Sequence, residues 1–370
     1  MHAQANDGHP ELWRRIKWSY ATHVLRDVPA SEESLDLALA PLEPPRAGDV
    51  AVAEVLEIGR HRRIEVTSKR ATALFAGDLV GVVYGNRYAT LQYEGAIPAG
   101  SETCHLLSVG GVCGEVVGMA NRMEPPTLLR PLVYLTERSS RRVSLARHGL
   151  PRLAHQVPRP ETILVVGSSM DSGKTTTAAS IVNGLVRAGV RVSAGKVTGT
   201  ASAKDLLLME DAGACAALDF TDAGYASTAL CSREQLLDIF EILTSQLAAH
   251  CPDYTVLEVA DGITQRETRM LLEIIGSRQL VDHVIYACSD CVSVAAGIRI
   301  LRRYPLRVAG VSGRVTMSPQ MAQEARAEVD VPVLGLEELR SPRMLELFRE
   351  REARPQREVT PRVSSPVSAR

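Results

Sequence analysis

The chain has 370 residues, 45% of them hydrophobic and 4% aromatic, with a formal net charge of −1. Such a length can bury two cores, while the near-neutral charge gives no global electrostatic case for nucleic acid or an anionic membrane as partner. Residues 1–10 show no basic region followed by an apolar one, no run of about 18 apolar residues occurs, and the seven cysteines are scattered. The sequence therefore predicts a soluble, cytoplasmic protein in a reducing compartment.

In chain order, residues 1–46 read as an arm: a polar start, a short helix at Glu11–Tyr20 and the proline-rich Pro41–Pro45. From Gly48 the pattern becomes strand-like, at Val50–Ile58, Arg63–Val66, Leu79–Tyr84 and Ala89–Tyr93, with no helical period before Tyr134. Gly48-Asp49 and Gly77-Asp78 each lead into a strand, and Gly110–Gly114 leads into a third at Glu115–Met119. This predicts a weak internal repeat of turns in a small β-barrel-like domain over 47–137. Tyr84, Asn86, Arg87, Tyr88 and Gln92 cluster near a predicted hairpin, where they either face a ligand or form a polar turn over aromatic packing. Residues 138–160, rich in Arg, Ser and Pro, read as a linker.

Beyond the linker, strands at 162–166, 191–194, 254–259, 283–287, 307–311 and 331–335 alternate with helices. The helical patterns fall at 174–188, 204–213, 233–249, 266–276, 293–303 and 319–329. That alternation predicts a doubly wound, mostly parallel α/β domain over 161–350. Residues 351–370 have no apolar period and read as a disordered tail.

The segment that carries the chemistry is Thr162–Thr175. Thr162 to Val166 form an unbroken β-branched or aliphatic run, as a strand covered on both faces requires. A turn then opens a helix at Gly173-Lys174-Thr175. Backbone N–H groups of Gly167, Ser168, Ser169, Met170, Asp171, Ser172 and Gly173, with the free N–H groups and positive dipole end of the helix, make a cradle for nucleotide phosphates. Lys174 reaches those phosphates, Thr175 offers its hydroxyl to Mg²⁺, and Thr176 continues the rim. The bland alternative is a glycine-bearing turn with an incidental Lys-Thr.

The loop is offset by one residue from the commoner Gly-x4-Gly-Lys-Ser/Thr pattern, since Ser168 lies five before Gly173 and the glycine is Gly167. Gly-x5-Gly-Lys-Thr with an acidic residue two before the second glycine resembles the Gly-Thr-Asp-Thr-Asp-Val-Gly-Lys-Thr loop of the dethiobiotin synthetase family. That family groups with cobyrinic acid a,c-diamide synthase-like P-loop NTPases. Gly167, Asp171, Gly173, Lys174 and Thr175 match; Ser169 stands where that family has Asp. Val256-Leu-Glu258-Val-Ala-Asp261 is similar to the family's Glu-Gly-Ala-Gly-Gly segment, whose Glu helps hold the metal. Gly195-Lys196-Val-Thr198-Gly199 looks like its Lys-Pro-Val-x-x-Gly segment, whose lysine sits among the reacting groups. The resemblance spans roughly residues 160–340, and no counterpart of the family's adenine-reading Asn appears in Gly310–Gly313.

The resemblance implies ATP, with GTP also compatible, Mg²⁺ at Thr175 and Glu258, and catalytic roles for Lys174, Lys196, Glu258 and Asp171; Asp261, where the chain departs from the family, is a further metal candidate by its place just past the strand end. Asp171 would act on the water or substrate nearby. Thr198, Gly199, Asp219 and Asp222 are candidates for the substrate, the two aspartates otherwise solvating a turn. An acidic strand-end cap, a helix N-cap and a solvated loop lysine are the structural alternatives for Glu258, Asp261 and Lys196. Cys288-x-x-Cys291 lacks a second pair at ligand spacing and reads as structural thiols.

Three functions follow from this reading. The first is ATP- and Mg²⁺-dependent phosphoryl transfer to, or activation of, a small-molecule acceptor, by a kinase or ligase-like enzyme. The second is an NTP-driven switch acting on a protein partner, although Ser169 occupies the position where partitioning-type ATPases carry a second lysine. A polynucleotide 5′-kinase is third, and the neutral charge counts against nucleic acid. A homodimer is compatible with all three.

Overall fold

The computed structural model describes residues 15–25, 35–39, 44–100, 102–137, 141–154 and 159–349. The expected tail at 351–370 and most of the arm lie outside the described residues.

The first lobe is built from β1 (Lys17–Trp18), β2 (Leu35–Leu39), β3 (Val50–Glu57), β4 (Arg63–Glu65), β5 (Ala71–Ala73), β6 (Leu79–Tyr84), β7 (Tyr93–Ala96), β8 (Cys104–Leu106), β9 (Val112–Met119) and β10 (Thr127–Glu137). Pairings run β6-β3-β10-β8-β9 and return from β9 to β6, closing a ring of five strands. Ala51, Val55, Ile64, Val80, Leu106 and Leu129 fill its interior. The two Gly-Asp turns are built alike: Gly48 and Gly77 both have φ of 86°, a region that costs a Cβ-bearing residue strain. Asp49 N–H donates to Arg46 O at 3.0 Å and Asp78 N–H to Phe75 O at 3.1 Å.

The structure corrects several expected elements here. Instead of the last turns of a helix, Lys17–Trp18 pairs with β6 and Tyr20–Leu25 is a short 3-10 turn. Alternation of Ile16, Trp18 and Tyr20 suits an edge strand, and the Trp18 ring occupies the space a Cβ on Gly81 would need. Residues 89–92 form a turn, closed by Gln92 N–H to Ala89 O at 2.9 Å. The eleven-residue β10 is not apparent in the sequence because Pro131 interrupts it; a bulge between Pro131 and Val133 absorbs the missing donor.

The second lobe is a six-stranded parallel sheet in the order β13-β12-β14-β11-β15-β16. Its strands are β11 (Glu161–Gly167), β12 (Val192–Lys196), β13 (Ala217–Asp219), β14 (Tyr254–Glu258), β15 (His283–Ala287) and β16 (Val308–Ser312). Helices α1 (Lys174–Arg187), α2 (Lys204–Asp211), α3 (Arg233–Ala248), α4 (Arg266–Arg278), α5 (Cys291–Leu301) and α6 (Pro319–Glu328) alternate with them, followed by the short α7 (Leu336–Leu339) and α8 (Met344–Arg349). Helix starts follow local chemistry: Ser232 with Gln235, and Asp290 with Ser293, form capping boxes for α3 and α5.

Side chains of α1 and α8 pack on one face with Ile163 and Val165, and those of α3, α4, α5 and α6 on the other with Leu164 and Val166. The chain leaves β11 toward one face and leaves its neighbours β14 and β15 toward the other. A crevice opens at the carboxyl ends where this reversal occurs. Residues 331–335 are not a full strand: only Val333 bridges Val311, since Pro332 has no N–H to extend the ladder.

The described part of the segment expected as a linker, residues 141–154 and 159–160, makes contacts with both lobes. Leu145 is fully buried, which stabilises its docking by roughly 1.5–3 kcal/mol, and Leu150 N–H donates to Asp222 O at 2.7 Å. A shared apolar cluster crosses the lobes, with Tyr20, Val83, Leu107 and Val112 from the first meeting Ala201, Ala203 and Ala226 of the second. Gly110 lies so close to the Ala201 carbonyl that no Cβ fits.

Candidate functional site

A cleft of about 1310 Å³ lies between the lobes. One wall is the phosphate loop and the carboxyl ends of β12 and β14; the other is the β4–β5 and β6–β7 region of the first lobe.

Gly167 ends β11, and a Cβ there would strike Ser172 Oγ and the folded-back stem of Lys174. The offset glycine thus makes room for the lysine. Asp171 (φ 60°) and Gly173 (φ 97°) adopt left-handed backbone, turning the chain so that α1 starts without a side-chain cap. Its first N–H groups and dipole are therefore offered to a ligand. Met170, Asp171, Gly173, Lys174, Thr175 and Thr176 line the cleft, and Gly167, Ser168, Ser169 and Ser172 do not. Lys174 Nζ donates to Ser169 O at 2.7 Å, a bond that phosphate oxygens would replace.

Parallel register sets the charged residues beside one another: Lys196 pairs with Glu258 across β12–β14 and with Asp219 across β12–β13. Thr175 Oγ1 donates to Glu258 Oε1 at 3.0 Å, and Glu258 Oε2 is buried without a partner. A hydroxyl plus one carboxylate with an open oxygen is a hard-oxygen set of the kind Mg²⁺ uses together with phosphate. The residues present fit that ion. Burial drives the Glu258 carboxyl upward, against the pull of Lys196. Burial also lowers the Lys174 ammonium, against Glu258 and Asp261. Lys196 is pressed down by burial but raised on balance by Glu258 and then by Asp205, with which it forms an ion pair. Asp261 (φ 58°) stands on the same wall, its carboxyl raised by burial, in the field of both lysines and of Arg87.

Other expected site residues do different work. Asp219 accepts from Tyr20 Oη at 2.9 Å and from Thr221. Asp222 meets His23 Nε2 at 2.9 Å and accepts from the Asp219 N–H at 2.8 Å. These carboxylates clamp the N-terminal segment and do not line the cleft. Burial, then Asp222, pushes Asp219 up to about 6. Thr198 caps the Ala260 N–H at 2.9 Å and faces a minor pocket, whereas Gly199 does line the cleft. Cys288 and Cys291 are free thiols directed at the carbonyls of Ser312 and Met321. Among the described residues no group of three or more His, Cys, Asp or Glu is arranged to hold a metal.

Of the cluster at 84–92, Arg87, Tyr88 and Gln92 line the cleft. Tyr84 is core, and Asn86 accepts from the Ile97 N–H at 3.1 Å. Sequence reasoning missed much of the rest of this wall, including Arg60, His61, Arg62, Arg63, Glu65 and Lys69, and it missed Asp205 and Arg314 opposite. The basic run Arg60–Arg63 was the available signal. The segment after β12 is also bonded to the first lobe: Ser108 Oγ donates to Ala201 O at 3.1 Å, and Glu65 accepts from Ala203 N at 2.7 Å.

Among the described residues no helix is long and apolar enough to cross a membrane. No protein-family model matches the sequence, and no curated protein matches it. Among solved structures, the signal recognition particle receptor FtsY from Elizabethkingia anophelis in complex with GDP is similar at 14% identity, covering 56% of this chain and 69% of that one, with a TM-score of 0.36. A second FtsY structure from the same organism gives 15%, 55% and 69%, with a TM-score of 0.34. Likeness at that level carries no argument about activity. The P-loop α/β class rests instead on the loop, the parallel order and the position of the crevice.

Proposed function

We propose that the protein binds a nucleoside triphosphate with Mg²⁺ on the P-loop wall and cleaves its terminal phosphoanhydride within the interlobe cleft. The observation that carries this reading is the convergence of Lys174, Thr175, Lys196 and Glu258 at the carboxyl ends of three adjacent strands. The α1 N-terminus and Lys174 bind and orient the phosphates. Lys196, kept protonated by Glu258 and Asp205, offsets charge developing on the transferred group. Thr175 and Glu258 would hold Mg²⁺, which would supply neutralisation of the phosphate charge. ATP and GTP both suit this wall.

Two uses of that cleavage fit the geometry. A cleft of about 1310 Å³ exceeds the roughly 300–1,000 Å³ of a single small-molecule site, which favours transfer to a small acceptor bound beside the nucleotide. The bonds from residues 201–203 to the first lobe favour a switch in which that lobe reads the nucleotide state. Hydrolysis of ATP and GTP, measured alone and with a panel of carboxylates, amines and alcohols, separates them. Acceptor-stimulated turnover with a phosphorylated product supports transfer. Turnover indifferent to every small molecule rejects transfer and leaves the switch.

A further inference from the structure

Arg87 is 8% exposed and lines the cleft. Its Nη2 donates to Gln92 Oε1 at 2.6 Å, and its guanidinium carbon lies 5.9 Å from the Tyr93 ring centre. Nε and Nη1 are buried with no hydrogen-bond partner. Among the described residues no carboxylate lies within ion-pair distance of it; Asp261 acts only through its field. The neighbouring His61 is held neutral, pushed down to about 4 by burial and then by Arg87 itself, so it adds no competing charge at neutral pH. Arg63, on the same wall, likewise has no acidic partner among the described residues.

A buried, permanently charged group without a counter-ion is costly, and a guanidinium whose Nε and Nη1 lack acceptors suits an oxyanion that accepts charge-assisted hydrogen bonds. We propose that the first-lobe half of the cleft is a second binding site, for a small anion bearing carboxylate or phosphate groups, with Arg87 as its receptor and Arg63 at its rim. This rests on the reading that the opposite wall holds the nucleotide, and it gives the companion ligand a chemical class.

The test is thermal unfolding of the full-length protein in potassium succinate, citrate or phosphate, each against potassium chloride at matched ionic strength. Arg87→Met, which removes the unpaired charge while keeping an apolar stem, should melt at or above wild type in chloride. At least one probe should raise the wild-type midpoint by about 2 °C or more, and that shift should at least halve in Arg87→Met and in Arg87→Lys. Succinate or citrate acting alone identifies a carboxylate ligand; phosphate acting alone identifies a phosphorylated one. Lys174→Ala should keep the anion shift while losing nucleotide affinity, and Arg87→Met should do the reverse. No probe shift in wild type, or equal shifts in wild type and both Arg87 variants, overturns the site. Loss of nucleotide affinity in Arg87→Met as large as in Lys174→Ala would assign Arg87 to the nucleotide instead. Unchanged nucleotide affinity in Lys174→Ala would remove the nucleotide reading and leave the anion site standing.

Discussion

The two walls of the cleft hold charge in opposite ways. On the P-loop wall each ammonium sits in the field of a carboxylate: Lys196 is bonded to Asp205, and Lys174 feels Glu258 and Asp261. On the first-lobe wall Arg87 feels Asp261 from a distance, but no carboxylate bonds to it and its Nε and Nη1 have no acceptor. A self-compensated wall keeps its geometry without ligand and exchanges internal contacts for phosphate when ligand arrives. An unpaired guanidinium such as Arg87 is complete only when something negative is bound. Preorganised charge and waiting charge thus face each other across one space, the first from strand register and the second from lobe docking.

The largest way to break the comparison is to damage the compensated wall. Glu258→Gln keeps the shape and removes the charge shared by Thr175, Lys196 and the metal. Turnover should fall on the order of 10²-fold or more, with nucleotide affinity falling far less, because the contact strengthens as charge develops. Equal losses in both would mean that Glu258 acts in ground-state binding only, and steady-state kinetics beside calorimetry decides it.

A smaller effect sharpens the role of docking. His23 is lowered by burial but raised on balance by its bond to Asp222. A histidine with a raised folded pKa contributes stability that is fully present below its unfolded value near 6.5 and is lost as pH rises through the folded value. The stability difference between wild type and His23→Gln should therefore be larger at pH 6 than at pH 8.5, on the order of 1–2 kcal/mol at the lower pH. Chemical denaturation at both pH values measures it. A difference that grows with pH would show that the clamp holds through neutral contacts.

Much of the P-loop wall was legible in the sequence because its signals are local. A buried apolar strand running into Gly167–Thr175 needs no distant partner to be recognised, an apolar run ending in a carboxylate located Glu258, and Lys196 was marked by the resemblance of its segment to a known family. Parallel register then did the rest. What could not be read was set by tertiary docking. Asp219 and Asp222, three apart in a loop, resemble a ligand pair until Tyr20 and His23, some 200 residues earlier in the chain, arrive on them. Arg87 carried no local mark separating it from Asn86, which instead accepts from the Ile97 N–H. The Arg- and Pro-rich stretch after residue 140 looked unattached because its apolar residues follow no period; Val143 and Leu145 are nonetheless both buried in the apolar contact between the lobes.

The most direct measurement is a calorimetric titration of Mg²⁺–ATP and Mg²⁺–GTP into wild type and Lys174→Ala, with circular dichroism confirming that the variant is folded. The charge-assisted contacts of a P-loop lysine predict saturable binding of at least one nucleotide to wild type. Affinity should fall by about tenfold or more in the variant, the equivalent of roughly 1.4 kcal/mol. No binding to wild type, or the same affinity in both proteins, would contradict the assignment of this cleft to a nucleotide.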